Sequence, residues 1–208
     1  MTTDAYKAYQ QIKDKIITLE MAPGSVIQDS ALTDMLGLGR TPIREALKLL
    51  EAENLIVTVP RRGIFVSHVS ITDLQQLSEL RVEVEGLSAR LAAQRATEDE
   101  LAGLVTCCDE FFTTQAGQTL QRVVIDRKFH YLLATATHNR FLQTEVERFY
   151  DLSLRLWNLA LERVKAGDVN AASHREIVKA VKARNAELAE MQMQDHIRDF
   201  QKRVKAAM

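Results

Sequence analysis

Proline and glycine, the two residues that most readily end a helix, are spread unevenly along this chain. All three prolines, Pro23, Pro42 and Pro60, lie before residue 61. Beyond Gly63, only Gly86, Gly103, Gly117 and Gly167 interrupt the rest. Proline removes a backbone donor, and glycine costs about 1 kcal/mol relative to alanine inside a helix. A tract poor in both is free to form long helices, whereas the first third is cut into short elements. The shift predicts two domains, residues 1–70 and 71–208, with a boundary near residues 68–72.

In the first domain, Tyr9, Ile12, Ile16 and Leu19 recur at helical spacing and predict a helix over 6–19, ended by Met21-Ala-Pro-Gly24. A short helix over 30–36 stops at Gly37-Leu-Gly39. A third covers 41–53, with Thr41 as its cap, Pro42 at the first helical position, and Ile43, Ala46, Leu47 and Leu50 on the inner face. The period then changes to two. The β-branched runs 55–59 and 64–67, joined by Pro60-Arg-Arg-Gly63, predict a hairpin. Three helices followed by a hairpin make a winged helix-turn-helix. The remainder predicts six helices, at about 73–95, 98–115, 118–136, 139–165, 168–184 and 186–205. Their breaks fall at Ala96-Thr97, Ala116-Gly117, His138-Asn139, Ala166-Gly167 and Arg184-Asn185. Short connections favour antiparallel neighbours, so the expected fold is mainly α: an N-terminal winged helix-turn-helix and a C-terminal antiparallel all-helical bundle.

Charge bears on function. The chain carries 27 basic and 28 acidic residues, net −1. The first 70 residues hold eight of each, so the domain that looks like a DNA reader has no net basic footprint. Its basic residues are placed rather than abundant. Arg40 and Arg44 share one face at the start of the third helix, where a helix-turn-helix meets base edges. Arginine can bond guanine O6 and N7 in two-toothed fashion, and Thr41 can donate to a phosphate. Lys48, and Arg61 and Arg62 beside Gly63 at the hairpin tip, complete the set. Surface arginines on an interaction module have the same pattern.

In the second domain, Asp126 and His130 stand four apart, on one helix face. His174 and His196 lie on later helices. Facing helices of a bundle can bring such groups to one point, and three imidazoles with a carboxylate suit Zn²⁺, Ni²⁺, Fe²⁺ or Mn²⁺. Packed or solvated histidines are the plainer alternative. His138 competes as a ligand but falls at a helix end, and His68 has no assigned role. Arg81 lies beside the stripe Leu77, Leu80, Val84 and Leu87; it is either a partly exposed partner of Glu85 or a pocket arginine that forks onto a carboxylate. The stripe Leu142, Val146, Phe149, Leu152, Leu156 and Leu159, with Trp157, reads as core or dimer interface. Met191 and Met193 read as packing residues. Cys107 and Cys108, adjacent, make a poor disulfide framework and suit a reducing cytoplasm. The polar start, 1–11, lacks a signal-peptide core, and no apolar run approaches a membrane span.

Met21-Ala-Pro-Gly24, Gly39-Arg-Thr-Pro-Ile-Arg-Glu-Ala-Leu47, Leu50-Glu-Ala-Glu-Asn-Leu-Ile56 and Arg61-Arg-Gly-Ile-Phe-Val66 resemble the DNA-binding domain of GntR-family transcriptional regulators. The resemblance implies a dimer on a palindromic operator, with Arg40, Thr41 and Arg44 in the major groove and the wing, Arg62 and Gly63, reaching the minor groove. Two departures stand out: Gly39 where many members have serine, and Ser30 where some have arginine. The second domain resembles the FCD domain of the FadR-type branch, through Glu79-Leu-Arg-Val-Glu-Val-Glu85, Arg90-Leu-Ala-Ala93, Asp126-Arg-Lys-Phe-His130, Thr137-His-Asn139, His174-Arg-Glu-Ile-Val-Lys-Ala180 and Asp195-His196. Six helices resemble its VanR-like subgroup. This resemblance implies a divalent metal on Asp126, His130, His174 and His196, and Arg81 in the pocket of a small carboxylate effector. The expectation is a ligand-responsive, cytoplasmic, homodimeric regulator, acting as a repressor. A metal-responsive regulator shares every residue with it. A metal-dependent hydrolase would share the cluster but lacks a well-placed general base and leaves the first domain without a task.

Overall fold

The computed structural model describes residues 3–114, 118–160 and 171–207. They form two compact units: Met1–Ser70 with Leu154–Leu159, and Ile71–Ser153 with Ala160–Met208. The predicted breaks at Ala116-Gly117 and Ala166-Gly167, and the extension of the fourth bundle helix to 165, lie outside the described residues.

The first unit runs α1 (Asp4–Ile17), β1 (Val26–Ile27), α2 (Asp29–Leu36), α3 (Arg40–Ala52), β2 (Ile56–Val59) and β3 (Gly63–Val66). Helix α1 starts where the Thr3 hydroxyl accepts the Tyr6 N–H at 3.2 Å. Ile12 and Ile16 of α1 are fully buried, as are Ile43, Ala46 and Leu50 of α3. Tyr9 and Lys13 clamp α1 to the end of α3: the Tyr9 hydroxyl donates to Glu53 at 2.6 Å, and Lys13 Nζ lies 2.9 Å from the same carboxylate.

The sheet is antiparallel, in the order β1-β3-β2, with Ile27 opposite Ile64 and Thr58 opposite Ile64 from the other side. β1 escaped the sequence reading because two residues carry no alternation. It exists because Gly24, at φ +79°, turns the chain so that its N–H reaches the Val66 carbonyl at 2.8 Å. A Cβ there would also stand 2.5 Å from the His68 ring. The third helix begins one residue earlier than expected. Gly39, not Thr41, is its N-cap, and Pro42 is third in the helix, where the missing N–H is still one of the unpaired four. Within this unit, the Leu154–Leu159 segment contributes fully buried Arg155, whose guanidinium donates to the Ser67 carbonyl at 2.6 Å.

The second unit is built from α4 (Ile71–Arg95), α5 (Glu98–Thr113), α6 (Thr119–Thr135), α7 (Arg140–Ala160), α8 (Ala171–Lys182) and α9 (Ala186–Ala207). Thr97 and Glu100 start α5 with a reciprocal capping box. Asn139 starts α7 by accepting the Phe141 and Leu142 N–H groups. The Arg184 guanidinium donates to the carbonyls of Ala93 and Ala96 at the end of α4. Helices α4 and α9 cross closely at Gly86, where a Cβ would lie 2.8 Å from Gln194 Cγ. The core gathers Ala89, Ala92, Leu104, Phe111, Phe129, Leu133, Ile177, Val181 and Ile197.

Two sequence readings need correction here. In the α4 stripe Leu80 is exposed, whereas Val84 and Leu87 pack half-buried on Ala134, Leu142 and Val146; the fully buried side of α4 holds Leu74, Ser78, Arg81, Val82, Glu85 and Ala89. Met193 is buried but Met191 is exposed. The α7 stripe is buried at Leu142, Val146 and Leu156, and Leu159 is exposed on the single chain. Cys107 and Cys108 are both buried free thiols, and burial pushes them up to about 11 and about 12.

Leu50→Ala should lower the stability of the first unit by about 2–5 kcal/mol, because a fully buried leucine leaves a cavity. Urea unfolding followed by a probe in this unit checks it; a loss under about 1 kcal/mol would contradict the packing described.

Candidate metal centre and nucleic-acid interface

The residues predicted to read DNA are exposed on the first unit. Arg40 and Thr41 occupy the first turn of α3, and Arg44 follows one turn later. Asp29, at the start of α2, accepts from Arg44 Nε at 2.9 Å. This pair holds the guanidinium stem while the side chain stays 68% exposed. On the hairpin, Arg61 and Gly63 both have positive φ, 63° and 112°, so the tip is a tight turn with Arg62 between them. Glycine suits the second of these positions because a Cβ would strain it.

In the second unit, three helices deliver the other cluster. Asp126 and His130 come from α6, His174 from α8 and His196 from α9. One donor atom from each of the four lies within 4.8 Å of the others. His174 Nε2 is 3.0 Å from Asp126 Oδ1, the Nε2 atoms of His130 and His196 are 3.3 Å apart, and His130 Nε2 is 3.8 Å from Asp126 Oδ2. Ligand bonds of about 2.0–2.2 Å at octahedral or tetrahedral angles place neighbouring donors about 3.0–3.5 Å apart. The donor set and its spacing therefore fit a divalent transition metal. All three imidazoles are buried. His138, the competing candidate, is outside the cluster: it is half-exposed and faces Glu100 at 3.2 Å.

Three of the four donors have a supporting polar contact. The Tyr150 hydroxyl donates to Asp126 Oδ2 at 2.7 Å. Ser173 Oγ lies 2.8 Å from His196 Nδ1. A hydroxyl can donate or accept, so it tolerates either tautomer of His196, including the one whose Nε2 lone pair faces the cluster. His130 Nδ1 contacts Glu85 Oε2, and Glu85 Oε1 accepts from Arg81 Nε at 2.5 Å. The Arg81 guanidinium also lies 5.2 Å from the Tyr150 ring and 5.3 Å from the Phe200 ring. Arg81 is thus paired with Glu85, but the pair is buried rather than exposed.

Sequence reasoning treated Glu85 only as a partner of Arg81 and passed over Tyr150 and Ser173. Ser173 had a usable signal, since it adjoins His174. Tyr150 was hidden within an apolar stripe.

Electrostatics follows from this crowding. Burial opposes ionisation of Asp126, but the His174 hydrogen bond and the electrostatics of the neighbouring His130, His174 and His196 rings hold its carboxyl well below the usual range. Burial likewise opposes the charge on Glu85, yet Arg81 and His130 bring it down to about 2. Burial, and then repulsion from His174 and His130, push His196 well below its ordinary value. Burial and Asp126 raise the Tyr150 hydroxyl well above its own.

An exposed recognition helix and wing, with a separate helical unit that carries a buried histidine–carboxylate cluster, define a winged-helix DNA-binding regulator with a second, all-helical domain. Residues 5–66 match the bacterial regulatory proteins of the gntR family, and residues 76–199 match the FCD domain. The chain is 31% identical over 196 residues to the HTH-type transcriptional regulator YdhC of Bacillus subtilis (strain 168), covering 90% of this chain and 85% of that one. It is 25% identical over 206 residues to the HTH-type transcriptional repressor GlaR of Escherichia coli (strain K12), covering 95% and 94%. The structure of McbR/YncC from E. coli shares the fold, with a TM-score of 0.87 over 99% of both chains at 18% identity. This chain belongs to the GntR family of bacterial transcriptional regulators and carries an FCD domain. It is a regulator and not an enzyme, so the hydrolase alternative falls. No helix among the described residues is long and apolar enough to cross a membrane.

The lowered His196 value fixes a sign. Below its ordinary value of 6.5 the unfolded chain binds a proton that folded His196 refuses, so stability falls as pH falls. The Asp126 shift acts in the same direction, but only below the usual carboxylate range. Chelator-treated protein should lose melting temperature between about pH 7.5 and 5.5, and His196→Asn should flatten the slope. A melting temperature independent of pH in the parent protein would contradict the burial of a neutral imidazole.

Proposed function

We propose that this regulator binds a palindromic double-stranded DNA operator as a homodimer and responds to a small carboxylate effector at a divalent metal centre. The observation that carries the reading is the convergence of Asp126, His130, His174 and His196 at ligand spacing in a buried site. The metal would be Zn²⁺, Ni²⁺, Fe²⁺ or Mn²⁺. When bound, it would supply a Lewis-acidic position for an effector oxygen. Arg81 enters this reading as a buried guanidinium beside the centre: Glu85 engages its Nε, and its planar fork suits a carboxylate of the effector. On the DNA side, Arg40, Thr41 and Arg44 would meet the major groove, and Arg62 and Gly63 the minor groove. The balanced charge of this domain fits weak non-specific binding, with specificity from a few base contacts and from pairing two half-sites. The regulator would act in the cytoplasm as a repressor whose hold on DNA the effector changes.

Purified protein, stripped and then titrated with Zn²⁺, should bind one ion per chain, and His174→Ala should weaken binding at least tenfold. Full-affinity binding by that variant would remove the centre. Genomic fragments captured by the protein should share a short palindrome. On that sequence, Arg44→Ala should cost about 1–3 kcal/mol in a fluorescence-anisotropy titration; unchanged affinity would rule out a base contact. Zn²⁺ affinity also separates the two regulator readings. A site filled at any free-metal level serves the effector, whereas one tuned to free metal makes the ion the signal.

A further inference from the structure

We infer that Glu85 is a positioning residue of the metal centre, the group that fixes His130 as a ligand. This inference rests on the metal reading above and goes beyond the four ligands. Glu85 lies on α4, a helix that contributes none of the four, and is almost fully buried. Its two oxygens are divided between two tasks. Oε1 accepts from Arg81, and Oε2 faces His130 Nδ1.

An imidazole nitrogen facing a carboxylate carries its proton there. The other nitrogen, Nε2, then presents a lone pair, and this is the atom that faces His196 and Asp126. A neutral imidazole has two tautomers, and only this one can bind a cation through Nε2. Carboxylate contacts of this kind orient metal-bound histidines and raise their basicity. Arg81 makes the arrangement tolerable in a dry interior, because an unpaired buried carboxylate is strongly disfavoured.

The pair therefore sits on both candidate ligands at once. Glu85 holds the tautomer of a metal ligand, and the arginine that balances its charge is the one offered to the effector carboxylate. His174 differs: its carboxylate contact among the described residues is with Asp126, through Nε2, and its ring packs on Phe129 and Phe111.

The test compares the full-length parent with Glu85→Ala and Glu85→Gln. Imidazole ¹⁵N shifts in chelator-treated protein report the His130 tautomer without any metal, and calorimetric titration with Zn²⁺ reports affinity. The parent should show the Nδ1–H tautomer. Glu85→Ala should lose it and bind Zn²⁺ about 10- to 100-fold more weakly. Glu85→Gln, whose amide oxygen still accepts from Nδ1–H, should keep the tautomer and recover part of the affinity. If Glu85→Ala fails to fold because Arg81 is stranded, Arg81→Met with Glu85→Leu removes both charges and should show the same loss. Parental Zn²⁺ affinity in folded Glu85→Ala or in the double variant overturns the role of Glu85 and leaves the metal centre standing. No Zn²⁺ binding by the parent overturns the metal centre itself, and this proposal with it.

Discussion

Three imidazoles and a carboxylate crowd their donor atoms within 4.8 Å of one another, and burial makes any surplus charge among them expensive. The arrangement of the helical unit follows from meeting that constraint. Asp126 supplies negative charge at the centre, Tyr150 and Ser173 hold ligand side chains from outside, and Glu85 with Arg81 adds a balanced pair from α4. Apolar walls, Phe111 and Phe129 among them, close the site on the other side. Such a cluster contributes little to stability as it stands, since each polar group must be matched by a partner before its burial is repaid. In the proposed function its value would be selectivity: a divalent cation would resolve the crowding of the imidazoles, while an apolar ligand would not.

The DNA-binding unit works under a different limit. It has no excess positive charge, so long-range attraction to DNA is weak and contacts must be made locally. The fold concentrates them at two tight features. One is the start of α3, set by Gly37 in the left-handed region and Gly39 as cap. The other is the hairpin tip, set by Arg61 and Gly63 at positive φ. In the proposed dimer, with few phosphates neutralised, the geometry of two half-sites would matter more, and a ligand that shifted one subunit against the other would change binding. Ligand and DNA must then affect each other's affinity by the same factor.

Much of this was legible in the residues. The change from period 3.6 to period two located the wing, and the scarcity of proline and glycine located the bundle. The i, i+4 pair Asp126 and His130 could be placed on one face by spacing alone. Their meeting with His174 and His196 could not, because spacing within a helix says nothing about register between helices; only the family resemblance joined all four. Glu85 remained hidden for the same reason, since its contact with His130 crosses from α4 to α6. On α4 the fully buried face carries Ser78, Arg81 and Glu85, so apolar residues alone marked only the half-buried side at Val84 and Leu87 and took in the exposed Leu80. Two local errors were matters of scale: β1 is only two residues long, and a glycine cap such as Gly39 leaves no side-chain signature.

The proposed function requires that the state of the helical unit's metal centre control the DNA-binding unit. The most direct measurement is operator affinity at fixed ionic strength, first with Zn²⁺ bound and then after chelation, in the parent and in His174→Ala. The account predicts that the parent's affinity differs several-fold between the two states and that the variant shows no difference. Equal operator affinity in both states of the parent, with and without a panel of small carboxylic acids, would contradict it.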